Sequence, residues 1–428
     1  MTLRRILFGL TFSKGSPFRN RFFSSASTSA AFRYPVGKDP SSLPSALTQK
    51  LPKNPYFFID GRPISLRYRV NSMIELCQLD KAAEISRLAV LDRDRNDSVL
   101  ISNEIIGAMC GAKRYDEAIA LFHYFFNESN VIPNIVSFNH IIKAHCEEHR
   151  VEEALELYHH ARGFDPDHET YRILTKGLVK AGRVHEALGI VKAAYLCDST
   201  VDSYLIRGFL DQGNHDKADQ LYDRLVEGMS EELYDFNDIA LVDATFVDYW
   251  FRQGNDELAM EIYSSLSLFE DAEFISATTG NTLLKILLDH GKKSEAWELF
   301  EEMINNARTY DGLLAKTFNS ETINIMVNEC FKLGKFTKAM ETFELGASFA
   351  GCFSNIIERF CERGMMSEAE GLFEEMASHK DLVLSHEIPT FRSMITGYVK
   401  VGRVDDAQRM LKNMVDASLL KVAIHKAD

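Results

Sequence analysis

Apolar residues in this chain fall into paired helical stripes. Phe138, Ile141, Ile142 and Cys146 lie three or four residues apart, and after a polar break Ala154, Leu155, Leu157 and Tyr158 form a second stripe. Far downstream, Phe391, Met394, Ile395, Tyr398 and Val399 repeat the first stripe, and Ala407, Met410, Leu411 and Met414 repeat the second. Such spacing predicts two amphipathic helices joined by a tight turn. The second stripe starts on an alanine in ten places: Ala82, Ala118, Ala154, Ala187, Ala218, Ala259, Ala296, Ala339, Ala369 and Ala407, at steps of 30 to 43 residues. In seven of these frames a glycine stands five residues upstream: Gly182, Gly213, Gly254, Gly291, Gly334, Gly364 and Gly402. Periods of this length mean stacked two-helix units, because no single unit buries enough apolar surface to stand alone. The predicted fold is an all-α superhelical α-solenoid of about ten helix-turn-helix repeats.

Each recurring residue has a physical reason. The glycine suits the left-handed position that ends a helix, where a side chain is penalised. The alanine suits a point where two helix backbones approach too closely for a larger side chain. Acidic residues just before it (Glu117, Glu153, Glu186, Glu295, Glu368 and Asp406) fall in the first turn of the second helix, where negative charge favours the helix dipole. Prolines agree with the division. Six of the ten lie between Pro35 and Pro63, and Pro133, Pro166 and Pro389 fall between units, where they break no helix.

The units resemble pentatricopeptide repeats of the P class, the plant organellar type. The residues that carry the resemblance are Ser137–Ile142 (SFNHII), Thr170–Leu174 (TYRIL), Val179–Leu188 (VKAGRVHEAL), Ala296–Met303 (AWELFEEM) and Gly371–Met376 (GLFEEM). Tetratricopeptide repeats would begin Trp-x-x-Leu-Gly-x-x-Tyr, and no unit does. The resemblance covers residues 64–420, with insertions at Gly228 to Asp238 and Asn305 to Asn319, and leaves 421–428 as a tail. It implies binding of single-stranded organellar RNA, one base per unit. It further implies that a base is selected by the residue 15 before the marker alanine together with the residue that ends the unit. Three such pairs have reading chemistry: Asn139 with Asp167 for uracil, and Asn103 with Asn134 and Asn281 with Asn319 for a pyrimidine. Asn and Asp at these places are also common turn residues. The corresponding first-helix residues of units 1, 4 and 10 are Arg67, Arg172 and Arg392, and unit 5 pairs Ser203 with Ile239.

Charge complicates this expectation. The family often places a lysine near the phosphates, seven residues before the marker alanine. Lys180, Arg252, Lys332 and Lys400 match, whereas Glu75, Glu147, Asp211, Asp289 and Glu362 have the opposite sign. Arg172, Lys176, Lys180 and Arg183 form the one basic run that stands as a phosphate-contact candidate. The chain carries 48 basic and 62 acidic residues. Affinity for RNA is largely phosphate neutralisation, so the mean field opposes it.

The first 38 residues contain no Asp or Glu, seven Lys or Arg, and serines at 24, 25, 27 and 29. That composition is a transit peptide. Arg21-Phe-Phe23 before Ser24-Ser25 resembles a plant mitochondrial cleavage site, so residues 1–23 are expected to be removed, with the mitochondrion favoured over the chloroplast. Removal leaves 43 basic against 62 acidic residues, a formal charge of −19. Residues 24–63 read as a Pro-rich linker or irregular cap.

Catalytic chemistry finds little support. His145-Cys-Glu147 matches half of a zinc deaminase motif, but no Pro-Cys-x-x-Cys accompanies it. No Walker loop, nucleophile elbow or dinucleotide fingerprint occurs. The expectation is a non-enzyme with no metal and no cofactor. The seven cysteines include no Cys-x-x-Cys pair and are expected to be buried free thiols. No apolar run is long enough to span a bilayer, so no membrane insertion is expected. Two functions fit: organellar RNA metabolism through weak or ribonucleoprotein-assisted RNA binding, or a protein-protein scaffold. An adaptor on the mitochondrial ribosome would be such a scaffold, with protein partners in a ribonucleoprotein and no sequence reading of its own.

Overall fold

The computed structural model describes residues 63–90, 95–129, 131–160, 165–229, 233–266, 275–309, 317–347, 349–378 and 388–424. The expected leader 1–23 and the proline-rich stretch as far as residue 62 lie outside the described residues, as do 425–428 of the expected tail and parts of both insertions. Ten helix pairs follow one another. Unit 1 is α1 (Pro63–Glu75) and α2 (Leu79–Val90), unit 2 is α3 (Arg95–Gly111) and α4 (Tyr115–Phe122), and unit 3 is α5 (Ile135–Glu147) and α6 (Val151–His160). Unit 4 is α7 (His168–Lys180) and α8 (Val184–Ala193), unit 5 is α9 (Ser199–Asp211) and α10 (His215–Met229), and unit 6 is α11 (Phe236–Arg252) and α12 (Asp256–Leu266). Units 7 and 8 are α13 (Ala277–Asp289) with α14 (Lys293–Thr309), and α15 (Ser320–Lys332) with α16 (Phe336–Glu344). Units 9 and 10 are α17 (Ala350–Arg363) with α18 (Met366–Ser378), and α19 (Ile388–Lys400) with α20 (Val404–Ile424). In unit 2 a π turn, His123–Glu128, extends α4 and keeps both Phe125 and Phe126 in the core.

The alanine frame works as its spacing predicts. All ten marker alanines are buried, each on the second helix, and the first helix of every unit packs on its own second helix and on the first helix of the next unit. The first helices thus form one continuous layer. The glycines also behave as expected: all seven have positive φ, between 69° and 81°. The three units without the glycine reach the same conformation with Cys77 (φ 52°), Lys113 (φ 59°) and His149 (φ 58°). An L-residue there costs about 1–2 kcal/mol, so units 1 to 3 carry turn strain that units 4 to 10 lack.

A run of ion pairs ties unit to unit at this turn. The residue four before the marker alanine is a cation that reaches an acid at the start of the preceding second helix. Arg114 meets Asp80, Arg150 meets Asp116, Arg183 meets Glu152 at 2.5 Å, and Lys292 meets Asp256 at 2.8 Å. Each exposed pair contributes about 0–1 kcal/mol, so they set register more than stability. Five of the seven cysteines are buried free thiols, and Cys77 and Cys197 are exposed.

Candidate nucleic-acid interface

The residues expected to end a unit are first of all helix caps. Asn134, Asp167 and Asn319 sit at the N-caps of α5, α7 and α15, in extended conformation, and each accepts from a backbone N–H three residues on. Ser137, Thr170 and Thr322 complete reciprocal capping boxes. The Asx chemistry that made these positions ambiguous in the sequence is therefore present. It does not displace the pairing, because each cap also meets the first-helix asparagine of the unit before it.

In unit 2, Asn103 Nδ2 donates to Asn134 Oδ1 at 2.9 Å, and Ser137 Oγ donates to Asn103 Oδ1 at 2.6 Å. In unit 3, Asn139 Nδ2 donates to Asp167 Oδ1 at 3.0 Å, and Thr170 Oγ1 donates to Asn139 Oδ1 at 2.7 Å. The capping hydroxyl thus fixes which way each asparagine amide points. It also fixes what the cap has left over. Asn134 Oδ1 accepts from Asn103 Nδ2 and from the Ser137 backbone N–H, which leaves its Nδ2 as a donor without a partner among the described residues. Asp167 Oδ1 likewise accepts from Asn139 Nδ2 and from the Thr170 backbone N–H, which leaves Oδ2 as an acceptor without a partner among the described residues. Burial alone would raise the Asp167 carboxyl, but the donors from Asn139 and Thr170 hold it below its ordinary value.

Unit 7 brings its pair together less firmly. Asn281 Nδ2 donates to Asn319 Oδ1 at 3.2 Å and to Glu321 Oε2 at 3.4 Å, while its buried Oδ1 has no partner. Unit 4 closes the position altogether. Arg172 Nε donates to both carboxylate oxygens of Asp198, at 2.9 and 3.2 Å, and the Asp198 side chain is almost fully buried beneath it. In unit 5 the expected partner, Ile239, lies inside α11. The N-cap is Asp235, one turn earlier, because the insertion starts that helix early. Ser203 Oγ is left buried and unpartnered.

Of the four phosphate candidates, Arg172 serves Asp198. Lys180 Nζ donates to Glu147 at 3.0 Å, a bond that holds the Glu147 carboxyl below its ordinary range. Arg183 belongs to the turn, where it pairs with Glu152 and Glu186. Lys176 lies over the Tyr204 ring at 6.0 Å. A cleft of about 290 Å³ between α5, α7 and α9 collects Lys143, Arg172, Lys176, Lys180 and Tyr204, with Glu147 and Glu169 on its wall. Arg183 is not part of it. A second cleft, about 360 Å³, lies between α13, α15 and α17 and mixes Lys285, Lys332, Arg359 and Arg363 with Asp289 and Glu362.

Three residues went unread in the sequence. Leu100 and Val136 stand three residues before Asn103 and Asn139, one turn away on the same helix faces, and both are exposed. Leu100 lies on the first helix of unit 2 and Val136 on that of unit 3. Their signal was an apolar residue outside the buried stripe. Lys143, the third, has no ion pair among the described residues and opens onto the smaller cleft.

Among the described residues no group of three His, Cys, Asp or Glu is placed to hold a metal ion, and no helix is long and apolar enough to cross a membrane. The PPR repeat family matches residues 133–189, and single PPR repeats match 203–228, 281–306, 321–345, 351–380 and 389–419. A 94-residue stretch is 40% identical to mitochondrial succinate dehydrogenase subunit 4 of Arabidopsis thaliana, covering 20% of this chain and 58% of that protein. Among solved structures, the chain aligns to the pentatricopeptide repeat protein PPR10 in complex with an 18-nt psaJ RNA element. The identity is 16% and the TM-score 0.32, over 87% of this chain and 62% of that one. A mitochondrial pentatricopeptide repeat-containing protein of Arabidopsis thaliana is 37% identical over 391 residues. That alignment spans 85% of this chain and 92% of the relative, and the chain belongs to the pentatricopeptide repeat family.

Proposed function

We propose that this chain is a non-catalytic mitochondrial protein that contacts single-stranded RNA directly but briefly, through pyrimidines at units 2 and 3. The observation that carries the reading is the free atom each cap keeps. At the Watson–Crick edge, uracil presents an N3–H donor and cytosine an N3 acceptor. Asp167 Oδ2 is an acceptor and suits uracil, and Asn134 Nδ2 is a donor and suits cytosine. Leu100 and Val136 supply apolar flanks for the base at unit 2. Lys143 and Lys176 then meet the backbone phosphates, Lys180 being engaged by Glu147. Asn281 and Asn319 form a weaker pyrimidine pair, with Glu321 beside it.

Mitochondrial targeting is part of the reading. The acid-free leader favours it, and one relative over nearly the whole chain is mitochondrial.

A second reading rests on a separate observation: most cations of the first-helix layer already face carboxylates of this chain. A scaffold inside a ribonucleoprotein would need no more than that. Binding of the purified chain, residues 24–428, to short single strands of U, C, A or G separates the two. The RNA reading expects pyrimidine preference and steep salt dependence. It also expects Lys176→Glu to weaken all sequences alike. Absence of binding to any strand near physiological salt would leave the scaffold.

A further inference from the structure

Sixteen residues before most of the marker alanines, the first helix points a side chain into the core. Leu66, Ser102, Phe138, Ile323, Phe353 and Phe391 fill that slot in six units, all of them buried. Units 5 and 6 fill it with carboxylates. Asp202 is 1% exposed and Asp243 is 4% exposed. The two are not equivalent. Asp202 has both oxygens engaged, one by Arg224 at 3.0 Å and the other by the Tyr234 hydroxyl at 2.9 Å. Asp243 has the Tyr222 hydroxyl of α10 as its hydrogen-bond partner, and among the described residues it meets no cation and its buried Oδ1 has no partner.

We propose that Asp243 makes the seam between units 5 and 6 a proton-operated joint in the middle of the array. With the carboxyl protonated, α11 packs against α10 with a neutral acid in the slot. Deprotonation leaves a buried carboxylate facing apolar neighbours with one hydroxyl for support, a state the folded seam tolerates poorly. The seam then opens more often, and units 1–5 gain freedom relative to units 6–10, because an array is held together by nearest-neighbour interfaces.

The electrostatics agree. Burial pushes the Asp243 carboxyl up to about 7 from 3.8, against a small opposing effect of the Tyr222 hydrogen bond. Tyr222 is itself raised by burial and by Asp243, with Asp223 adding a little. The elements α9, α12 and α13 also pack on α11, and among the described residues none brings a charged group that bears on Asp243. Because the folded value lies above the unfolded one, the stability supplied by the protonated carboxyl is complete below about pH 4. It is lost as the pH rises through about 7. This inference does not rest on RNA binding.

Hydrogen exchange of the α11 amides in the full chain, corrected for intrinsic exchange, tests it between pH 5 and pH 7.5. Opening of α11 in the wild type should rise on the order of tenfold per pH unit between pH 5 and 7 relative to Asp243→Asn, then level off. Asp202→Asn should leave that dependence in place. Tyr222→Phe, which removes the one group that favours the charged form, should move the transition to higher pH rather than weaken α11 equally at every pH. Parallel profiles for wild type and Asp243→Asn would overturn the proposal. So would a Tyr222→Phe transition at the wild-type pH, which covers the case that Asp243→Asn does not fold.

Discussion

Units 3 and 4 share one backbone frame and reach opposite electrostatic ends. In unit 3, Asn139 meets Asp167 and leaves a carboxylate oxygen open to the groove. In unit 4, Arg172 meets Asp198, and both oxygens are covered by the guanidinium. The difference lies on the first helix of unit 4, where Arg172 is joined by His168, whose Nδ1 lies 3.2 Å from Asp198 Oδ2, because the caps are both aspartates at a helix start. A repeat can therefore keep its fold and lose its free polar edge when one side chain brings its own counter-charge. The units differ in two further places: the slot nine residues before the marker alanine holds His145 in unit 3 and Leu178 in unit 4, and the left-handed turn residue is His149 in one and Gly182 in the other.

The largest expected contrast is in acid. Burial, helped by Arg150, pushes His145 down to about 4 from 6.5. A histidine held neutral in the fold supports stability above its unfolded value, and that support is lost as the pH falls from about 6.5 through about 4. At 1.36 kcal/mol per pKa unit the loss is roughly 3 kcal/mol for unit 3 when complete. His145→Leu copies unit 4 and should flatten the acid limb of thermal unfolding between pH 6.5 and 4. An acid limb unchanged by that substitution would place the sensitivity elsewhere.

The caps come next. Asp198→Ala removes two backbone acceptor bonds and strands Arg172, and should cost about 2 kcal/mol. Asp167→Ala removes a cap whose second oxygen was free, and should cost about 1 kcal/mol. Denaturant midpoints at pH 7.5 measure both. Equal losses would mean that the Arg172–Asp198 pair adds nothing beyond capping.

Base choice should follow the same residue. Asp167→Asn replaces the free acceptor with a free donor, so preference at that position should pass from uracil to cytosine. Arg172→Asn should open unit 4 and let Asp198 select uracil. A hydrogen bond of about 1 kcal/mol corresponds to roughly a fivefold change in relative affinity. Competition between strands that differ at one position reads it. If Arg172→Asn changes no preference while Asp167→Asn does, the sealed pair is not what silences unit 4.

These residues also show what the sequence makes legible. The ten alanines betray the fold because close helix contact admits little else, and the glycines do so because left-handed backbone excludes side chains. Asn103, Asn139 and Asn281 were found because the pentatricopeptide resemblance supplies a fixed offset of 15 residues from the marker alanine. Ile239 was misread because the insertion starts α11 a turn early and hands the cap to Asp235. Arg172 was visible as a cation but not as an engaged one, because its partner lies 26 residues away and its burial depends on the stacking of two units. Leu100 and Val136 were passed over because exposure of an apolar side chain is a property of the surface, not of the stripe.

The smallest contrast is in the turns. His149 has φ 58° and Gly182 has φ 76°, and a Cβ added at Gly182 would meet no atom within 4 Å. The two positions therefore differ by backbone preference alone, without a steric clash. A left-handed L-residue costs about 1–2 kcal/mol, and a glycine returns part of that gain by loosening the unfolded chain. The net should be about 0.5–1 kcal/mol in each direction: His149→Gly raises stability and Gly182→Ala lowers it. Because stability in a stacked array is a sum over neighbours, both changes should appear most clearly in the exchange protection of α5 to α8. If His149→Gly instead lowers protection there, the histidine contributes something at the turn that its backbone angle does not reveal, and units 3 and 4 would differ in more than their side chains.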